Sequence, residues 1–571
     1  MGKGKLNKRI AIIGGGPSAL FMYKRLVESK RKDLQIDIFE RKDYLGAGMP
    51  YSTEGANNEH ITNVSDNEIP VIFNSIAEWV KTAPKPLLKK FDIDPQKFNE
   101  YKVLPRLFFG EYLIAQFELL RSFATKKGII TKVHLNTVVE DVIDHPRKKE
   151  VVVKLQEGGW FEFDSLIICT GHNWPKKYEV KIEGYFDSPY PPQKMLLKLN
   201  HPVGLMGSSL TAIDAVRTLA KANGKFINAK DGKLSYELNK DSEGFKLIMH
   251  SRNGLLPAIR FHLEDPHLGK GETLLKTEIQ EHIKANDGFV SLDFLFEQNF
   301  KARFIKEDPG FYKKIKDLTL EEFVANMMAS REKKEPFELF KQEYIEAEKS
   351  IRKKKSVYWK EALAILSFTM NYPAKYLSAE DMERLQKVLM PLISIVIAFV
   401  PQSSCRILFA LHDAGILEII EVGDDSEVKP IKKGGANYHY YNSQNKKVVR
   451  HFETFVDCVG QPHLSIKDFP FKSLVKKGKI SQARLAFKSA EVGQETKQGG
   501  NKQVRIVEGK YFLNVPGSTI NDYFQVVDKK GNSNDRVYLM AVPYMGGYNP
   551  DYSGLDFCEA ASTIVTQQIL V

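Results

Sequence analysis

Two strand–turn–helix units with small turn residues, and a lysine-rich helical stretch after the second, predict an α/β fold for this chain. The expected architecture is two Rossmann-like dinucleotide-binding domains with a helical insertion. At 571 residues the chain exceeds what one core supports. The first unit opens at Ile10, the second at Val203, and the helical stretch runs from Asp265 to about Pro401. The expected domains are 1–195 for the first part of one dinucleotide-binding domain, 196–450 for the second with its insertion at about 265–400, and 451–571 for the return to the first.

Ile10-Ala11-Ile12-Ile13 is a short apolar run, β-branched apart from Ala11, and reads as a buried strand. Gly14-Gly15-Gly16 breaks it, and a helical pattern follows with Leu20, Tyr23, Leu26 and Val27 at three- and four-residue spacings. Read as G-x-G-x-x-A, Gly14 permits the tight turn, Gly16 lets the backbone approach a pyrophosphate, and Ala19 lets helix and strand pack closely. The helix start at Pro17 and Ser18 then turns free N–H groups and a positive dipole end toward the phosphates. A second apolar strand, Gln35 to Phe39, ends in Glu40, about 20 residues beyond Ala19, where a carboxylate holds a ribose hydroxyl. The alternative is a structural turn followed by a surface acid; strand, turn, helix and acid in this order favour the dinucleotide site.

In the loop Leu45 to Ser52, Gly46 and Gly48 beside Tyr51 suit close approach to a cofactor, and Asn63 follows in His60-Ile61-Thr62-Asn63-Val64. Arg106 is a lone cation at the head of an apolar helix. Its fork matches phosphate or carboxylate, so it is expected to hold cofactor or substrate rather than the fold. A capping Arg in a surface loop is the alternative. Val139 lies within an expected strand from Lys132 to Asp144. The buried strand Leu166 to Cys169 stops at Thr170-Gly171, the position at which a returning strand brings a glycine against the cofactor.

The second unit runs Val203-Gly204-Leu205-Met206 into Gly207-Ser208-Ser209 and a helix with Ala212. Ser209 replaces the middle glycine, which makes the fingerprint degenerate. The next strand, Phe245 to His250, ends in Ser251-Arg252 instead of an acid. Arg at this point accommodates a 2′-phosphate, so NADPH is expected over NADH, with an Arg in a surface loop as the alternative. The Asp265–Pro401 stretch reads as helices that shape or cover a substrate cleft. Later come a second strand-to-glycine stop at Gly460, a buried strand from Val537 to Val542, and Gly554 ahead of a closing helix from about Asp556.

Composition narrows the function classes. With 43% hydrophobic and 27% charged residues the chain is an ordinary globular one. Four scattered cysteines without C-x-x-C argue against a disulfide framework, a zinc site or a redox dithiol. The basic start runs straight into the first strand without an apolar signal core, so a cytoplasmic location is expected. The most apolar run, Val388 to Val400, contains Pro391 and is too short to span a bilayer, so no stable membrane insertion is expected. The net charge of +12 comes from lysine clusters interleaved with acids, which read as solvated faces rather than a nucleic-acid surface. It also suits a phosphorylated cofactor.

Together, several segments resemble the bacterial FAD-NAD(P)-binding proteins of the YdhS-like type. They are Gly14–Ala19, Gly46–Ser52, Ile61–Val64, Pro105-Arg106, Cys169–His172, Leu210–Asp214 and Ser251–Pro257. The likeness covers most of the chain and is weakest from Asp265 to Lys387. Cys169-Thr170-Gly171-His172-Asn173-Trp174-Pro175 is also similar to the hinge of class B flavin-dependent monooxygenases, including the N-hydroxylating ones. The departures are the missing middle glycine and the lack of a Baeyer–Villiger signature. The resemblance implies a glutathione-reductase-like FAD domain, an NADPH domain, a small-molecule substrate and molecular oxygen. Its mechanism is hydride transfer from NADPH, then hydroxylation of a nucleophilic substrate, an amine for example, through a C4a-hydroperoxyflavin. The flavin carries such chemistry, so no catalytic side chain is named. Two other readings remain: an NADPH-dependent reductase serving another acceptor, and a non-catalytic flavin-binding sensor.

Overall fold

The computed structural model describes residues 7–230, 232–265, 274–461, 464–551 and 554–571. Strands and helices that matter here are numbered in chain order. The first sheet starts with β1 (Lys8–Ile13), followed by helix α1 (Pro17–Glu28) and β2 (Leu34–Phe39). Ile10, Ala11 and Ile12 are fully buried, as expected of an apolar run with a sheet neighbour on each side. A two-stranded ribbon, β3 (Ile61–Ser65) with β4 (Val103–Pro105), leads into the long helix α2 (Arg106–Lys126) and β5 (Ile130–His134). β6 (Ser165–Ile168) returns beside β1.

The second sheet holds β7 (Tyr185–Phe186), β8 (Pro202–Met206), helix α3 (Leu210–Asn223) and β9 (Lys246–Ser251). After the helical stretch, which includes α4 (Pro336–Lys353), come helix α5 (Gln402–Asp413), β10 (Leu417–Glu421) and β11 (Thr454–Asp457). The chain then returns to the first sheet through β12 (Gln525–Val527) and β13 (Ser533–Leu539), and closes with α6 (Gly554–Ile569).

The first sheet has the order β12-β13-β6-β1-β2-β5, parallel except at the β12–β13 edge. The second is parallel throughout, in the order β7-β11-β8-β9-β10. In each, the order reverses beside the first strand of its unit, between β1 and β6 and between β8 and β11. Ligands of open α/β sheets bind in the crevice at such a switch point. The expected boundaries at 195 and 450 cut through this arrangement, because Tyr185–Phe186 and Thr454–Asp457 both pair within the second sheet.

The helical stretch does not pack where chain order would put it. Its buried residues from Ile279 to Val396, among them Leu292, Phe300, Leu363 and Leu392, share one core with the first sheet. Phe337, Phe340 and Ala347 of α4, with Cys405 and Leu408 of α5, join the core of the second sheet instead. No helix among the described residues is long and apolar enough to cross a membrane.

Candidate functional site

The two glycine turns are built alike. Gly14 has φ +99°, open to glycine at little cost, and a Cβ there would meet the Cys169 carbonyl oxygen at 2.6 Å. Gly207 has φ +110°, and its Cβ would lie 3.0 Å from the Cys458 carbonyl oxygen. The amide of Gly14 donates to Phe39 O at 2.9 Å, and that of Gly207 to His250 O at 2.7 Å. Across each switch point the cysteine amide donates back, Cys169 to Ile13 O at 2.8 Å and Cys458 to Met206 O at 2.9 Å. So the missing middle glycine left the second turn's geometry intact. Among the described residues no side chain caps α1 or α3, which leaves their first N–H groups for an anion.

Around the first turn the structure gathers most of the expected residues. Glu40, just past β2, accepts the Gly15 N–H at 2.6 Å and the Lys42 N–H at 3.0 Å. Gly46 donates to Gly15 O at 2.6 Å, and a Cβ on Gly16 would stand 3.3 Å from the Gly48 Cα. Gly48 in turn faces Pro17, whose Cδ would lie 2.9 Å from an added Cβ. This second glycine loop rests on α2: a Cβ on Gly46 would strike Leu113 O at 2.5 Å, and one on Gly110 would strike Tyr51 O. Tyr51 packs edge-on against Phe109 at 4.7 Å, and burial pushes its hydroxyl up to about 12. Ser18 lies 3.4 Å from the Cys558 Sγ on α6, the helix that Gly554 begins; Ala19 is fully buried under the sheet. Val139 begins a separate antiparallel ribbon two residues after Thr137, whose amide donates to Glu40 O at 2.9 Å.

These residues fit an FAD. Any side chain on Gly16 would enter the narrow space against Gly48, and space beside Gly171 is open. The Thr170 hydroxyl, at the switch point, is buried and has no hydrogen-bond partner among the described residues, a group that a bound polar ligand would satisfy.

At the second turn Ser208 donates its hydroxyl to Leu255 O at 2.8 Å, while Ser209 is exposed at the start of α3. Arg252 stands just past the end of β9, 65% exposed, with an outer contact of 3.5 Å to the still more open Asp424. Its neighbour Ser251, missed in the sequence as a candidate, has a buried hydroxyl with no partner among the described residues. Both suit a ribose phosphate at this strand end.

Two expected residues are placed otherwise. Asn63 presents its backbone carbonyl to Arg260 Nη1 at 2.5 Å. Arg106, expected to clamp cofactor or substrate, is committed to protein. Its two Nη atoms grip Asp214 of α3 at 2.6 and 3.2 Å, and its Nε donates to Ile61 O at 3.0 Å. Tyr190 adds its hydroxyl to Asp214 at 2.7 Å. Burial alone would push Asp214 up, but the charges of Arg106 and His60 outweigh it and hold the carboxyl below its usual range. The reason for the correction is simple: a bidentate carboxylate is the same partner a ligand would offer, and here the chain supplies it. Arg106 therefore ties α2, which carries the first unit's glycine loop, to the helix of the second fingerprint.

His60 extends this seam. The Asn57 N–H donates to its Nδ1 at 3.0 Å, so the ring proton sits on Nε2 and points to Asp214 O at 3.1 Å. Thr218 lies 3.0 Å from Nε2 and donates its hydroxyl to Glu59 at 2.8 Å. Burial, the dominant cause, holds His60 below its usual value near 6.5. A lowered folded value means that its stabilising contribution is complete above about 6.5 and drains as pH falls below it. The melting temperature should accordingly drop from neutral toward acidic pH, and His60→Gln, which does not titrate, should flatten part of that slope. An unchanged slope in His60→Gln would remove His60 from the acid response.

Beside the seam two further hydrogen-bonded stops meet. The Asn173 amide and His172 Nδ1 contact Gln461 Oε1 at 2.9 and 3.2 Å, Gln461 Nε2 donates to Asn173 O at 2.8 Å, and the Trp174 indole donates to Gly460 O at 3.2 Å. The strand ends of the two sheets are thus fastened to each other.

Comparison with known proteins agrees with this architecture. Residues 11–173 match the FAD-NAD(P)-binding family and residues 276–397 the YdhS-like middle domain. Two dinucleotide folds with these matches define an FAD- and NAD(P)-binding protein. The chain is similar to the YdhS-like FAD-NAD(P)-binding proteins. It is 29% identical over 475 residues to the uncharacterized protein YdhS of Escherichia coli K12, covering 82% of this chain and 86% of that one. Looser likenesses among solved structures include the FAD-bound cadaverine monooxygenase DfoA of Erwinia amylovora, at 12% identity and TM-score 0.48, covering 99% of this chain and 95% of that one. Another is the ornithine N-hydroxylase of Kutzneria sp. 744, at 12% identity and TM-score 0.47, covering 99% of each chain.

Proposed function

We propose that the protein is an FAD-dependent, NADPH-consuming oxidoreductase, and specifically a monooxygenase that hydroxylates a small nucleophilic molecule. The observation that carries the reading is the pair of like-built glycine turns, at two switch points whose strand ends are fastened together by Gln461. Such a pair suits two dinucleotides facing one another. Gly14, Gly16, Gly46, Gly48, Glu40 and Thr170 would hold the FAD. Gly207, Ser208, Ser209 and Arg252 would hold the NADPH. Bound flavin supplies hydride acceptance and reaction with oxygen. The chain's part is to orient both nucleotides and to exclude water. The domain limits that follow put Tyr185 to Asp457, less the first-core helices, in the nicotinamide unit.

The test is direct. The purified protein should carry FAD, NADPH should bleach it without oxygen, and oxygen should restore it with hydroxylated product formed in the presence of substrate. Reoxidation that only yields peroxide across a broad substrate panel would favour a reductase, and no bleaching would favour a flavin-binding sensor. Gly16→Val should fold without FAD, because its methyl groups would fill the gap against Gly48. Full flavin absorbance in folded Gly16→Val would defeat the assignment of the first turn.

A further inference from the structure

Outside both glycine turns lies a cleft of about 730 Å³, a size usual for small-molecule sites. Four separate segments build it: the β3–β4 ribbon with residues 91–102 between its strands, residues 260–263 beyond β9, helix α4, and the start of α5. Both dinucleotide units and the helical stretch therefore contribute a wall, the setting in which ligand sites are commonest.

The chemistry of its interior is unusual in one respect. Its inner walls are apolar, from Ile93, Phe98, Leu104, Phe261 and Tyr344. The inner charges are Arg260 and Glu68, 6% and 7% exposed, and they are consumed by each other. Arg260 Nη1 donates to Asn63 O at 2.5 Å and Glu68 Oε2 at 3.2 Å; its Nη2 donates to Ser65 Oγ at 2.8 Å and to Glu68 Oε1. All four Nη hydrogens are thus taken, and Glu68 also receives the Ser65 hydroxyl at 2.7 Å. Other charged lining residues, such as Lys97 beside Asp94 at 3.9 Å and Arg406 bound to Gly232 O at 2.7 Å, sit exposed at the rim.

An ammonium group inside this cleft would meet a committed carboxylate and a nearby guanidinium. A carboxylate would meet a guanidinium whose Nη donors are spent. Either ion would be buried without a partner, which costs far more than apolar contact returns. From this we infer that the cleft takes a neutral, largely apolar small molecule, seated between Phe98 and Tyr344 with its polar end toward the rim. This deepens the proposed function by naming the substrate class, and rests on that reading only in calling the ligand a substrate.

Binding can be measured without turnover, on the purified protein with its cofactor, using three fluorescent probes. These are neutral N-phenyl-1-naphthylamine, anionic 8-anilino-1-naphthalenesulfonate and cationic dansylcadaverine. The neutral probe should bind at one site at least tenfold more tightly than either ion. Tyr101→Ala and Ile351→Asp change half-open lining positions, 43% and 39% exposed, and so should fold. Both should weaken the neutral probe at least fivefold with flavin content unchanged, and Ile351→Asp should strengthen dansylcadaverine. Equal or tighter binding of an ionic probe, or neutral binding indifferent to both substitutions, would overturn the inference. Because no NADPH oxidation is read, these outcomes stand whether or not the protein proves to be a monooxygenase.

Discussion

Arg106→Ala is expected to destabilise the FAD-free protein by about 3–5 kcal/mol, the usual result of removing one partner from a buried ion pair. The side chains of Arg106 and Asp214 are 17% and 6% exposed, so water replaces the guanidinium poorly. Among the described residues, the stranded carboxylate would keep only the Tyr190 hydroxyl as a side-chain donor. Lysine cannot reproduce a two-pronged grip and the Ile61 bond together, so Arg106→Lys should recover only part of the loss. Arg106→Ala combined with Asp214→Ala should be less destabilised than the sum of the two single variants, because no buried charge is then left alone. Urea midpoints of the four proteins check this. Additive losses, or an unchanged midpoint in Arg106→Ala, would mean that the pair does not hold the two units together.

Arg252→Ala should raise the Michaelis constant for NADPH about 10- to 100-fold while barely altering that for NADH. A guanidinium on a 2′-phosphate makes charge-assisted bonds worth roughly 1.5–3 kcal/mol, and 1.4 kcal/mol is a decade of affinity. The side chain is available for this, since it is 65% exposed and its contact with Asp424, itself 84% exposed, is a loose one of 3.5 Å. Steady-state kinetics with both nucleotides provides the check. Equal losses for NADPH and NADH would move Arg252 to the shared pyrophosphate or to the loop's own structure.

How much was readable depended on how local each requirement is. The constraints on Gly14 and Gly207 are set within a few residues, by a turn of positive φ and a strand stopping alongside, so the spacing alone located both turns. The strand-end positions of Glu40 and Arg252 were legible for the same reason, since each directly follows a short apolar strand. Arg106 was not. A lone arginine at a helix start has no visible partner in sequence, and Asp214 reaches it only after two sheets have assembled. The cleft around Arg260 was equally hidden, because its four walls come from distant segments and its chemistry follows from which charges are already spent. The aromatic and lysine-rich helices signalled their own formation but not their allegiance, which is decided by which core accepts Leu292, Phe300 and Leu363.

That allegiance bears on how the molecule comes apart. Helices inserted into the second unit's chain bury their apolar residues in the first unit's core, so the second unit's stretch of chain cannot be taken away without emptying part of the first unit's interior. Heating should therefore produce one cooperative transition with matching calorimetric and van't Hoff enthalpies, although the chain has the length and the two sheets of a two-domain protein. For the same reason, fragments cut at the edges of either dinucleotide unit would each expose a half-filled interior, and only a cut that keeps the helices with the first sheet leaves a piece able to stand alone.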